Sequence, residues 1–351
     1  MKRNIQFIAG VCLFGLMTGL FTSCTDSMPE REAGTGKLVE CTFRLNTGTP
    51  VSVETRATDM SMISDVWVVQ LNNAGTAALV APARVVPDAS KAINVKLKDE
   101  TSKIYFFANT GNTTFFDTEA ALSSFTTNAV EGKTITRTSN WGNMSYVPMY
   151  GTWTGKPTPP EITDADGNAD KVELTRALAQ VSATVTNSTG GKLTISTMQL
   201  KNVPNVLKVA PTESGTYPDA SGTYLDYPTT SSLSATWLVA ENCRGTGSGR
   251  YETEKTAAAV TGGDKATYLE IKGTYNGIGA TYRFYLGGNN TNDYNVKRNT
   301  MYTVGITISG KNRLDARLTM DATLLSVKSG NAASWTGGND ISTNTPEVTY
   351  N

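Results

Sequence analysis

The chain has no histidine in 351 residues. That absence excludes His-based catalytic triads, imidazole general bases and His-containing zinc or iron sites. An excess of one charge is also missing: 31 Lys and Arg balance 31 Asp and Glu, and no long basic or acidic block stands out. A nucleic-acid binder carries such a block as its electrostatic footprint, so no nucleic-acid partner is expected. Cysteine is scarce, at positions 12, 24, 41 and 243. Cys41 and Cys243 offer one disulfide in an oxidising compartment, but their spacing matches no framework, and two unpaired thiols are the expectation. Helix-period patterning is sparse. What is abundant is Gly, Thr, Asn, Ser and Ala around short alternating runs, which reads as all-β with long surface loops, in a chain long enough for two domains.

The N-terminus is written as an export signal. Lys2 and Arg3 precede an apolar run from Ile5 to Phe21, which ends Leu20-Phe21-Thr22-Ser23-Cys24. A basic start, a short apolar core and small residues before the cut describe a secretory signal peptide over 1–23 rather than a spanning helix. Thr22-Ser23-Cys24 looks like a lipobox, with Phe21 where leucine is usual; a plain signal peptide with an incidental cysteine is the alternative. Lipidation of Cys24 would anchor the precursor to a bilayer, and 24–36 is a polar tether.

Past the tether the strands announce themselves by period-two alternation. Leu38, Cys41, Phe43 and Leu45 begin one, and Val51, Val53 and Thr55 offer another. Asp65 to Leu71 reads as a buried strand closed by a turn at Asn72 to Gly75. Ile93, Val95 and Leu97 alternate, and Ile104 to Ala108 forms a further apolar run. Asp117 is placed to cap a short helix through Ala120 to Leu122. Lys156 to Pro160 and the acidic, Gly-containing stretch 161–170 read as linker or long loop, and the domain boundary is placed near 170. The strongest signal lies at 281–310: Tyr282, Phe284 and Leu286 alternate, Gly287 to Asp293 is turn material, and Tyr302, Val304, Ile306 and Ile308 alternate again, as in a hairpin-like strand pair. Near the end Leu318, Met320, Ala322 and Leu324 share one side of a strand, with Val327 following after a slip of register.

The wording of these strands resembles the fimbrillins, the lipoprotein pilins of Bacteroidetes that build type V pili. The resemblance is carried by Tyr282 to Gly287, by Asp293-Tyr294-Asn295-Val296, by Arg298-Asn299 with Tyr302 to Ile308, and by Ala108-Asn109, Met149-Tyr150-Gly151 and Val172 to Val185. It implies two Greek-key (transthyretin-like) β-sandwich domains in tandem, over 37–170 and 171–351. It further implies maturation by an Arg-specific or trypsin-like protease cutting between Arg56 and Ala57 in Thr55-Arg56-Ala57-Thr58, which removes 37–56 and opens a groove. Arg44 competes for the cut but alternates inside a strand, and Arg176 sits in an apolar one. A donor-strand tail over 316–351, with Leu318, Met320, Ala322, Leu324 and Val327 as its apolar side, would fill the groove of the next subunit. The implied partners are other fimbrial subunits, the outer membrane, the processing protease and a surface receptor on a host or another bacterium; the implied location is the outer membrane and then the extracellular fimbrium.

Three other readings compete. A glycan-binding surface lipoprotein would use Trp141, Trp153, Trp237 and Trp335 as a stacking platform, and a tip adhesin would lack a donor strand. An enzyme would need a carboxylate pair, and Asp164, Asp166 and Asp170 are spaced like calcium ligands but without the Gly and terminal Glu at the positions a calcium-binding loop requires. Gly245 to Gly249 lacks the Lys-Ser/Thr of a phosphate loop. No catalytic residue, metal or cofactor is expected.

Overall fold

The computed structural model describes residues 35–47, 62–117, 119–158, 171–211, 222–251 and 254–310, with the backbone alone for 313–321 and 347–349. In the first half, β1 (Leu38–Asn46) lies between β4 (Ala92–Lys98), to which it is antiparallel, and β8 (Lys171–Glu173), to which it is parallel. The companion sheet runs β3 (Ala83–Val85), β2 (Val66–Asn72), β5 (Ser102–Ala108), β7 (Met149–Gly155), β9 (Thr175–Arg176). β1 and β4 alternate as read, and bury Cys41, Phe43, Leu45, Ile93, Val95 and Leu97 against Val66, Val68, Ile104 and Phe106 of the companion sheet. β2 is buried on both sides, which is why it reads as an unbroken apolar run. Its other side carries Trp67 and Val69 into an aromatic cluster with Tyr105, Phe107, Phe115 and Phe116.

The second half has its own pair of sheets. One runs β15 (Ser234–Ala240), β10 (Leu178–Asn187), β20 (Met301–Gly310), β21 (Arg313–Asp321); the other runs β11 (Leu193–Lys201), β17 (Tyr268–Tyr275), β18 (Ile278–Tyr285), β22 (Glu347–Thr349). Val181, Ala183, Val304 and Ile306 from the first of these share a core with Leu200, Ile271, Tyr282 and Phe284 from the second. Two short pairs join β12 (Val203–Pro204) to β14 (Tyr224–Leu225), and β16 (Asn242–Thr246) to β19 (Asp293–Val296).

Two expectations need correcting. The strands of 281–310 exist, but they form no hairpin: β18 pairs with β17 and β22, while β20 pairs with β10 and β21. Between them β19 pairs with β16, and a turn with Asn299 at φ 52° carries the chain from one sheet to the other. Asp117 does not cap a helix through 120–122; its Oδ1 accepts from Glu119 N at 2.9 Å in a turn. The short helix α1 comes later, at Thr127–Glu131, and Thr126 caps it by accepting from Ala129 N at 3.3 Å.

The halves exchange residues across their junction. Trp141, between β6 (Thr134–Thr136) and β7, is buried in the second half's core, where its Nε1 donates to Pro204 O at 2.8 Å. Tyr227 is wedged beside it: its hydroxyl accepts from Trp141 N at 3.2 Å and donates to Leu238 O at 2.5 Å. Burial of that phenol raises its pKa well above the ordinary value. In the other direction, β13 (Val206–Lys208) pairs with β6, and Val209 and Ala210 enter the first half's aromatic cluster. Arg298 holds that strap. Its guanidinium donates to Lys208 O at 2.8 Å and Val209 O at 2.6 Å, and pairs with Glu241 Oε2 at 2.8 Å. Both side chains are under a tenth exposed. Truncating one partner would leave an uncompensated buried charge, so Arg298→Ala should cost about 3–5 kcal/mol in urea denaturation. Lys103→Ala, which removes the more exposed pair with Glu131, should cost about 1 kcal/mol or less.

Candidate functional site

The site is the position that β1 occupies. Cys41 and Phe43 are wholly buried and Leu45 nearly so, while the alternating Glu40 and Arg44 are exposed and Thr42 is half-buried. Phe43 stands edge-on to Phe106 at 5.0 Å and to Trp153 at 5.9 Å between ring centroids, filling the hollow between those two rings. The ladder to β4 spans Leu38↔Lys98 to Arg44↔Ala92, and the ladder to β8 spans Arg44↔Lys171 to Asn46↔Glu173. Polar contacts hold both ends. At the start, Gly36 N donates to Glu100 Oε1, Lys37 N donates to Asp99 Oδ1 at 2.6 Å, and Asp99 N returns a bond to Lys37 O at 3.0 Å. At the far end Leu45 N donates to Lys91 O at 2.9 Å, Lys91 Nζ to Thr47 Oγ1 at 2.7 Å, Asn46 Nδ2 to Glu173 Oε1 at 2.9 Å, and Leu174 N to Asn46 O at 2.8 Å.

Cys24, Arg56 and Ala57 lie outside the described residues, as do Ala322, Leu324, Val327, Asp164, Asp166, Asp170 and Trp335. The described chain resumes at residue 62, just ahead of β2, so the stretch holding Arg56 joins the end of β1 to the start of β2. Arg44 has an exposed side chain, but its backbone is laddered on both sides, a poor substrate for a protease. Arg176 is fully buried, in agreement with a structural role. Of the tail, Leu318 and Met320 lie on β21, at register positions opposite Val304 and Tyr302 of the same chain.

Cys41 and Cys243 are both free. Burial, with Glu40 nearby, pushes the Cys41 thiol up to about 11; burial, with Glu241 nearby, pushes Cys243 up to about 12. Both are protonated and inert at neutral pH. Among the described residues the tryptophans make no single platform: Trp141 is fully buried, and Trp153 and Trp237 pack against different cores. In the loop at 245–249, Gly247 N donates to Asn292 O at 2.6 Å and Ser248 N to Ala259 O at 2.8 Å, so those amides are spent on structure and not on a phosphate.

Lys255 gave no sign in the sequence. It is buried, donates to Asn289 O at 2.5 Å and lies 5.3 Å from the centre of the Tyr294 ring. Desolvation lowers its pKa from 10.5 to about 7, against the pull of Asp293.

These comparisons place the fold. No curated protein matches the chain by sequence. Residues 237–306 match a family described only as a domain of unknown function, DUF4906. Among solved structures, the tip fimbrial protein Mfa3 from Porphyromonas gingivalis, with C-terminal truncation, is similar over 81% of this chain and 99% of its own, at 14% identity and a TM-score of 0.56. A fimbrilin (fimA) from P. gingivalis W83 is similar over 82% and 98%, at 13% identity and a TM-score of 0.54. A putative cell adhesion protein from Parabacteroides distasonis ATCC 8503 is similar over 82% and 99%, at 13% identity and 0.53. The all-β fold of this chain is therefore the one found in Bacteroidetes fimbrial proteins, as the strand wording suggested.

The buried lysine yields a pH test. The unfolded chain binds more protons than the folded one between pH 7 and 10, so this group makes stability rise with pH across that window. Lys255→Met should remove that part of the slope and raise stability at pH 7, read by urea denaturation at stepped pH.

Proposed function

We propose that the chain is a structural subunit of a cell-surface fimbria, a type V pilus that supports adhesion. It is exported as a lipoprotein acylated at Cys24, cut between Arg56 and Ala57, and polymerised by donor-strand exchange. The observation that carries the reading is the place of β1: a strand flanked on both sides, immediately ahead of the cleavable stretch, and packed into the core through Cys41, Phe43 and Leu45. A cut at Arg56 frees everything before it, and loss of β1 leaves a slot between β4 and β8 with an apolar floor. Each apolar side chain that refills the slot contributes about 1.5–3 kcal/mol before ordering costs. The filler in this reading is the tail strand of a neighbouring copy, with Leu318, Met320, Ala322, Leu324 and Val327 as its apolar side.

The division into Greek-key domains at 37–170 and 171–351 belongs to the same reading. One feature bears on its boundary: Lys171–Glu173 and Thr175–Arg176 pair with first-half strands, and pairing within the second half starts at Leu178. The likeness to Mfa3 and to a fimbrilin lends support at the level of fold. On this reading the precursor sits at the outer membrane and the mature subunit in an extracellular fimbrium, with other fimbrial subunits, a processing protease and a surface receptor as partners.

The test is limited trypsin digestion of recombinant 25–351, followed by intact mass and size-exclusion chromatography. A single early cut after Arg56 and growth into SDS-resistant ladders are expected, and Arg56→Gln should abolish both. A chain that stays monomeric after that cut points to a tip adhesin, an anchor or a glycan-binding lipoprotein instead.

A further inference from the structure

The polar contacts at the two ends of β1 differ in charge. At the far end a cation and an anion, Lys91 and Glu173, take part. At the entry end both partners are carboxylates, Asp99 and Glu100, on the turn between β4 and β5. Their side-chain oxygens accept the backbone N–H groups of Gly36 and Lys37. All of these departing groups lie before Arg56. On the strand-exchange reading, on which this inference rests, the mature subunit would hold two carboxylates at the mouth of an open slot with their backbone donors gone.

A strand that rebuilds β1's ladders runs as β1 does, so its leading end meets this turn. We propose that Asp99 and Glu100 form an acidic clamp that receives Arg317 of a second copy and so fixes the register of the incoming strand. With Arg317 at the position of Gly36, Met320, Ala322 and Leu324 fall at the positions of Val39, Cys41 and Phe43. A small residue replaces the small Cys41, and a leucine enters the hollow between Phe106 and Trp153. The bulge expected at Leu325 brings Val327 to the position of Leu45. Sliding the strand by two residues in one direction brings Asp315 to the acidic turn and puts Ala322 in the Phe43 hollow, so repulsion and a void oppose it together. Sliding by two in the other direction brings the uncharged Thr319 to the turn and crowds Leu324 into the Cys41 position, while sliding by four in the first direction brings Arg313 to the turn but puts Leu318 in the Cys41 position.

Side-chain period alone allows any even shift, because every such shift keeps the same face inward. Charge at the mouth is what separates one even shift from the next. It also acts at a distance, drawing in the cationic lead before the ladder forms.

The experiment uses trypsin-cut chain 25–351 and follows ladder growth at low and high salt. Asp99→Asn/Glu100→Gln keeps oxygen acceptors for backbone N–H groups but removes the charge. It should slow assembly about tenfold at low salt and abolish the salt dependence seen in the wild type. Arg317→Glu should slow assembly likewise, Arg313→Glu should not, and Asp99→Lys should restore the rate of Arg317→Glu. Unchanged rates for the amide variant, with the wild type assembling normally, overturn the clamp and leave the fimbrial reading standing. Slowing by Arg313→Glu in place of Arg317→Glu overturns the register. A cut wild type that never assembles overturns the clamp together with strand exchange.

Discussion

Phe43 packs edge-on against Phe106 and Trp153 only while β1 keeps its ladders to β4 and β8, and much of the first half depends on that arrangement. Cys41 and Leu45 lie on the same face, so the strand works as one apolar insert between β4 and β8, facing the companion sheet. Its removal would not trim an edge. It would expose Ile93, Val95 and Leu97 on one side and Val66, Val68 and Ile104 on the other, and leave two ladders unpaired. Such a surface binds another strand or aggregates. The same burial that stabilises the precursor thus sets the strength of whatever takes the strand's place.

The junction between the halves is organised differently, by exchange of parts. Trp141 leaves the first half to sit in the second half's core, and Val209 and Ala210 go the other way. Arg298 ties this strap to the strand pair β16–β19 and to the crossing that leads into β20. The ion pair lies within the second half and fixes the strap in the position from which it pairs with β6. The two cores are separate, but neither is closed without a residue from the other half.

Much of the fold was legible and much of its wiring was not. Alternation at Cys41-Phe43-Leu45, at Ile93-Val95-Leu97 and at Tyr302 to Ile308 marks strands correctly, because one buried face leaves a period-two trace. Pairing leaves no such trace. The strong runs at 281–310 look like a hairpin, yet β19 intervenes and sends them to different sheets. Tyr285 reads as the outward residue between Phe284 and Leu286, yet it is buried too, against Tyr294 and Tyr268 on the opposite side. Asp117 has the chemistry of a cap, but Thr126 has the position. Arg298 and Lys255 were hidden for another reason: a buried charge breaks the local rule, and only the fold supplies the acceptors that make it tolerable. The candidate site is legible in part. The wording around Arg56 and the tail came from the sequence, while the double-sided pairing of β1 and the acidic turn at its entry came from the fold.

One further consequence follows from the parallel pairing of β1 with β8. Asn46 and Glu173, bonded to each other, are 127 residues apart in the chain. Contacts of such separation close large loops and form slowly. A chain emerging from its N-terminus presents β1 first, yet cannot complete this sheet until half of the polypeptide has followed. The first described strand is thus among the last to be enclosed, and its sheet closes only when half of the chain is present.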